Sequence, residues 1–156
     1  MRRISAVMLV RGALIAGVYA VVTMIFAPIS FGPVQVRVAE ALTLLPWIWI
    51  EAVPGLFVGC LIANLMGGFG IIDVIFGSAA TLAAAFLTSR MPSRPMAPIP
   101  PVVVNAVVVG ACLSVLLGLP LLPTMIYIGL GQAVACFGLG LPLLSFIERR
   151  FPNEKR

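Results

Sequence analysis

Apolar residues run along this chain in long blocks, at about 7–27, 38–50, 53–68, 71–89, 98–118 and 121–147, broken by proline, glycine or charge. Blocks without regular polar alternation predict bilayer-crossing helices, because roughly 20 apolar residues at 1.5 Å rise match a hydrocarbon core of about 30 Å. The second and third blocks are shorter. About fifteen residues give only about 22 Å, so these two tilt, thin the bilayer or form a re-entrant hairpin. Two short spans and one hairpin both return the chain to the same side, so the later topology is unaffected. The pattern predicts one transmembrane domain over 1–156, an all-α integral membrane protein built as a six-helix bundle.

Composition supports this class. Hydrophobic residues make up 62% of the 156 and charged ones 10%, with a mean hydropathy of +1.17; a soluble domain carries roughly a quarter charged residues. The formal charge of +5 is confined to the ends and one loop, with no basic stripe or interleaved aromatic run of the kind that binds nucleic acid. Arg2, Arg3 and Arg11, then Arg90 and Arg94, then Arg149, Arg150, Lys155 and Arg156 all fall on the cytoplasmic side if the amino terminus is inside, which places both termini there. Met1-Arg2-Arg3 followed by apolar sequence resembles a signal peptide, but more membrane sequence follows, so a first span is predicted. Cys60, Cys112 and Cys136 lie within apolar blocks, with no paired cysteine motif and no histidine in the chain; inert buried thiols are expected, and no metal.

Arg37 alone breaks the charge bias, and it stands one helical turn from Glu40 in Gln35-Val-Arg37-Val-Ala-Glu40. Ionisable groups at membrane depth are costly and by default mark a ligand pathway, although an internal Arg37–Glu40 pair is the competing reading. The remaining polar positions are few: Asn64, Asp73, Ser78, Asn105, Tyr127 and Gln132. Most belong to the outer half, where Asn64, Asp73, Tyr127 and Gln132 could converge on Arg37 and Glu40. Asn105 and Ser78 lie deeper, either flooring a pocket or bonding between helices. Asp73 also suits the first turn of a helix, where it would complement the dipole. Phe31 is placed to stack a ligand, whereas Trp47 and Trp49 read as interfacial aromatics. Glu51 sits at an inner turn if both short blocks span, and needs a buried cation if they form a hairpin. Pro46 and Pro142 are expected to bend or interrupt helices, and Gly12, Ala16 and Ala20 line one face of the first span, for packing either inside the bundle or on another subunit.

Several ordered blocks carry a resemblance: Ala27-Pro-Ile-Ser-Phe-Gly-Pro, Gln35 through Pro46, Pro54 through Leu65, Asp73-Val-Ile-Phe-Gly-Ser78, Pro100-Pro-Val-Val-Val-Asn105-Ala and Gly138-Leu-Gly-Leu-Pro142. Over nearly its whole length the chain resembles the QueT-type queuosine-precursor transporters, substrate-binding S components of energy-coupling factor importers. The resemblance implies six helices with cytoplasmic termini in the cell membrane, and uptake of a 7-deazaguanine base such as a prequeuosine-type base or queuine. For such a base the chemistry suits Glu40 to accept hydrogen bonds from the guanine-like edge, Arg37 to donate to its carbonyl and ring acceptors, and Phe31 or Tyr127 to stack it. Gln35, Asn64, Asp73, Asn105 and Gln132 complete the expected site, with Asp73 or Glu40 favoured by any cationic aminomethyl group. The implied partners are a transmembrane coupling subunit, docking on the Gly12-Ala16-Ala20 stripe, and two cytoplasmic ATPases. The chain carries no phosphate-binding loop, so ATP is used by those partners and no cofactor is expected here. By resemblance, substrate capture from outside is followed by toppling of the whole subunit in the membrane. An intramembrane enzyme is disfavoured, because no histidine, paired carboxylate or activated nucleophile pattern is present. A structural subunit without ligand and an S component for another vitamin or base remain alternatives.

Overall fold

The computed structural model describes residues 5–32, 35–68 and 70–152. Arg2, Arg3, Lys155 and Arg156, which carry part of the charge argument, lie outside the described residues. Those described fold as helices with no strand among them. Helix α1 (Ala6–Ile25) starts at Ser5, whose hydroxyl accepts the Met8 N–H at 3.3 Å, and a single turn, α2 (Ala27–Ser30), follows it. A 3₁₀-helix (Val38–Trp47) leads to α3 (Ala52–Gly67), and a π-helical turn (Asp73–Gly77) runs into α4 (Ser78–Thr88). Helix α5 (Ile99–Leu117) ends at Gly118, which takes a left-handed φ of 65° that glycine adopts without penalty. The last rod joins α6 (Leu121–Ala133), a π stretch (Val134–Gly140) and α7 (Leu141–Arg150).

The 3₁₀-helix answers the shortness of the second apolar block. At about 2.0 Å per residue, ten 3₁₀ residues extend about 20 Å where the same residues in an α-helix would reach about 15 Å. Two residues favour the tighter winding. Thr43 Oγ donates to the Glu40 carbonyl at 2.6 Å, capturing an acceptor that an α-helix would use, and Pro46 has no N–H to give. Trp47 Nε1 then reaches the Met91 carbonyl in the loop after α4, while α3 returns alongside α1. The 3₁₀-helix therefore leads toward the end of the bundle that carries the Arg90 loop, and α3 runs back along α1. Pro142 lies in the first turn of α7, directly after the π stretch, whose wider winding relieves the clash that proline makes with the preceding turn.

Helices α1 and α3 pack at glycine contacts. A Cβ at Gly55 would collide with the Gly12 carbonyl, and one at Gly59 with the Ala16 carbonyl and the Tyr19 Cβ. Small residues spaced by four on both helices let the backbones approach closely, which drives association where lipid removes the hydrophobic incentive. The stripe seen in the sequence is thus largely occupied from within: Ala16 and Ala20 are buried and Gly12 is half-buried.

Polarity is inverted relative to a soluble protein. Val7, Leu9, Val10, Leu14, Val18, Val21 and Ile25 of α1 are exposed, while Thr23, Arg37, Glu40, Thr43, Asn64, Asp73, Asn105 and Gln132 are buried. Three rods, Ala6–Ile25, Arg94–Leu117 and Leu121–Arg150, are long and apolar enough to cross a bilayer. The protein is a helical membrane protein. Contacts also bring distant charges to one end: Arg11 pairs with Glu51, Arg94 with Glu148, and the Trp49 ring meets Phe151 edge-on at 5.7 Å. Both ends of the described chain and the Arg90 loop therefore gather at the same end of the bundle.

Candidate functional site

The other half of the bundle holds a buried polar cluster. Glu40, 1% exposed on the 3₁₀-helix, is gripped through both carboxylate oxygens: the Tyr19 hydroxyl from α1 donates to Oε1, and Asn105 Nδ2 from α5 donates to Oε2 at 3.2 Å. Three elements thus meet on one carboxylate. Tyr19 reaches it because Gly59 of α3 leaves room beside its Cβ, so the close α1–α3 contact also positions the hydroxyl. The Thr43 bond holds the Glu40 carbonyl, to which Cys136 Sγ on the last rod donates weakly at 3.6 Å.

Arg37, 5% exposed, precedes the 3₁₀-helix in an extended conformation. Its guanidinium lies over the Phe31 ring at 5.2 Å, and Nη1 meets the Cys60 sulfur at 3.8 Å. Tyr19, Glu40 and Asp73 are all within electrostatic reach. Yet among the described residues it makes no ion pair within 4 Å, and its Nε has no hydrogen-bond partner. A buried guanidinium with an idle donor is unusual, because each unmet buried donor carries a desolvation penalty of about 1–3 kcal/mol, more for a charged group. Arg37 and Glu40 lie within electrostatic reach of one another without a direct contact of 4 Å or less.

Beside it, α3 and the π turn form a third wall. Asn64 Nδ2 donates to the Asp73 carbonyl at 3.3 Å and to Cys60 Sγ at 3.5 Å, while its Oδ1 is left without a partner among the described residues, as is Ser78 Oγ. Gly77 makes this proximity possible: a Cβ there would lie 2.8 Å from Asn64 Nδ2 and 3.3 Å from Asp73 Oδ1. Thr81 Oγ1 donates to Cys60 Sγ at 3.2 Å.

Of the residues singled out in the sequence, Arg37, Glu40, Asn105, Asn64, Asp73 and Phe31 are brought together. Gln35 and Gln132 are buried at the margin: the Gln35 carbonyl sits against Gly131, where no Cβ would fit, and Gln132 Oε1 accepts from Cys136 at 3.9 Å. Tyr127 departs from the expected convergence. It is 50% exposed on α6, because Thr124, Ile128 and Gly131 occupy the inward face of that helix. The Phe31 ring already covers Arg37, and its edge fills the space a Cβ on Gly67 would take.

Several members escaped sequence reading. Tyr19 carried a usable signal, as a lone tyrosine in an apolar span whose hydroxyl must find a partner when buried. Cys60 and Cys136 are free thiols, as expected, but they line the polar cluster at one-turn spacing from Asn64 and Gln132. Thr43 and Thr81 gave no signal, since threonine in a membrane helix usually bonds to its own backbone.

Residues 9–149 match the sequence model of the QueT transporter family. A protein of Lactococcus lactis subsp. cremoris, described as "Queuosine precursor transporter QueT", is 35% identical over 72 residues, covering 45% of this chain and 42% of the relative. The aligned part thus spans less than half the length of that relative. No solved structure matches. With the family model spanning nearly the whole chain, this helical membrane protein belongs to the QueT transporter family.

Proposed function

We propose that the chain is the substrate-binding membrane subunit of an ATP-driven energy-coupling factor importer, and that it captures a 7-deazaguanine queuosine precursor from outside the cell. The observation that carries this reading is the unpartnered Nε of the buried Arg37 guanidinium, near a Glu40 carboxylate already fixed by Tyr19 and Asn105. A planar heterocycle with carbonyl and ring-nitrogen acceptors satisfies an arginine donor edge, and each carboxylate oxygen of Glu40 keeps a lone pair for an amidine edge. Preorganised groups in a water-poor interior give up little entropy on binding, which favours tight capture. The name of the Lactococcus relative supports the substrate class.

In this reading six rods span the cell membrane. The end carrying Arg11, Arg90, Arg94, Arg149 and Arg150 faces the cytoplasm, following the positive-inside rule. A coupling subunit would dock on the lipid-facing side of α1. There a groove of about 520 Å³ is walled by Gly12, Ala13 and Ala16 of α1 together with Pro54, Gly55 and Val58 of α3. Paired ATPases bound to that subunit would supply the energy.

Uptake of labelled queuine and prequeuosine bases in a queuosine-deficient host, with and without the coupling partners, tests the assignment. Uptake should require this chain, and it should be lost when the partners are absent. Accumulation independent of the chain would reject it. Retained binding of another vitamin, with no binding of deazaguanines, would reassign the substrate.

A further inference from the structure

Resting on the substrate class just proposed, we infer that Asp73, with Asn64 and Ser78, forms a cation subsite that receives a protonated amine arm on the ligand, leaving Glu40 to the ring. The first argument is charge. Among the described residues, the buried ionisable charges in this half of the bundle are Arg37, Glu40 and Asp73, two acidic and one basic. Buried charge away from water must be compensated, so the cluster calls for one further positive charge, supplied by a proton or by a cationic ligand.

The second argument is which carboxylate is available. Both oxygens of Glu40 are held by internal donors. Asp73 is 4% exposed and within electrostatic reach of Arg37, but among the described residues its carboxylate accepts no hydrogen bond and makes no ion pair. It stands at the start of the π turn, at the end of the bundle opposite the paired charges, within reach of a ligand entering there.

The third argument is the company it keeps. Asn64 and Ser78, each 1% exposed, present Oδ1 and Oγ without partners. The Asn64 amide lies against the Asp73 backbone, and Ser78 follows Asp73 by five residues, one turn of the π winding. An ammonium has three donors and no acceptor, which matches a carboxylate flanked by two idle acceptors. Arg37 complements this subsite from the side of the ring. The π turn therefore has a role: it sets Gly77 against the Asp73 carboxylate, and the missing side chain there leaves the space into which Asn64 projects.

The test compares two bases that share a ring and differ in the arm, 7-aminomethyl-7-deazaguanine (cationic) and 7-cyano-7-deazaguanine (neutral). Both are titrated calorimetrically into the full chain in lipid nanodiscs. The wild type should prefer the aminomethyl base by about 10- to 100-fold, the range of a charge-assisted contact. In Asp73→Asn that preference should fall to near unity while the cyano base keeps its affinity within about threefold, and Glu40→Gln should weaken both bases alike. Ser78→Ala, a smaller perturbation, should lower only the aminomethyl base, by about three- to tenfold. A preference that survives Asp73→Asn and Ser78→Ala overturns the subsite, as does equal binding of the two bases by the wild type. If neither base binds, the substrate reading fails, and methylammonium then decides the subsite separately. Thermal stabilisation by methylammonium over sodium at equal ionic strength, lost in Asp73→Asn, supports it, and equal shifts reject it.

Discussion

The two ends of this bundle treat charge in opposite ways. At the end where the described termini meet, Arg11 sits 2.7 Å from Glu51 and stacks over Trp49 at 4.3 Å, and Arg94 bonds Ser145 and approaches Glu148 at 3.5 Å. Those groups are partly exposed and each cation stands beside a carboxylate, so their charge is balanced without a ligand even though Arg94 Nε, like Arg37 Nε, has no hydrogen-bond partner among the described residues. In the other half, Arg37, Glu40 and Asp73 are almost wholly buried and make no ion pair with one another. A matched, partly exposed pair contributes little, whereas buried charges without an ion-pair partner carry a desolvation cost that no direct contact between opposite charges offsets. The same residue types thus do different work according to depth and partnership.

Substitutions can break that contrast, beginning with the largest expected effect. Arg37→Ala removes the guanidinium whose Nε is unpartnered and should weaken deazaguanine binding about 100-fold, with thermal stability unchanged or slightly raised, because a desolvated charge without an ion-pair partner is removed. A large loss of stability with little change in affinity would show Arg37 to be structural. Gly59→Val should follow in size. Its side chain would meet the Ala16 carbonyl and the Tyr19 Cβ, lowering stability by about 1–3 kcal/mol in denaturant or thermal unfolding and loosening the grip on Glu40. An unchanged unfolding curve would contradict the close α1–α3 contact.

Tyr19→Phe deletes one of the two donors to Glu40 and should reduce affinity about tenfold in calorimetry, leaving the fold intact. Unaltered binding would mean that the carboxylate is positioned without it. Glu51→Gln should have the smallest effect. The Arg11 pair is partly exposed, so unfolding should shift by at most about 1 kcal/mol and ligand affinity should not change measurably. A binding defect in Glu51→Gln would merge the two ends into one electrostatic system.

Much of the architecture was legible in the chain. The apolar blocks marked the rods within a few residues, since lipid imposes one demand, helix with an apolar exterior, on every crossing segment. The break at 38–50 read only as shortness. That it is a 3₁₀-helix depends on Thr43 turning its hydroxyl onto the Glu40 carbonyl, a bond that apolar periodicity does not report. At the candidate site, Arg37 and Glu40 stood out because charge is rare in such sequence. Tyr127 looked equally eligible and faces outward instead, because the rotation of α6 follows from its packing on α5, where Gly129 approaches Ala106 and Gly110 approaches Met125.

The sequence by itself determined the class of this protein, its helical rods, its charge bias and the presence of buried ionisable groups, since each follows from local composition against a bilayer. Tertiary structure decided which groups are spoken for. Whether Glu40 or Asp73 is held by internal donors, and whether Arg37 finds a carboxylate, depends on α1, α3, α5 and the π turn meeting in three dimensions at separations of several ångströms. Hydrogen bonds and ion pairs vanish over such distances, so partnership cannot be read along a line of residues.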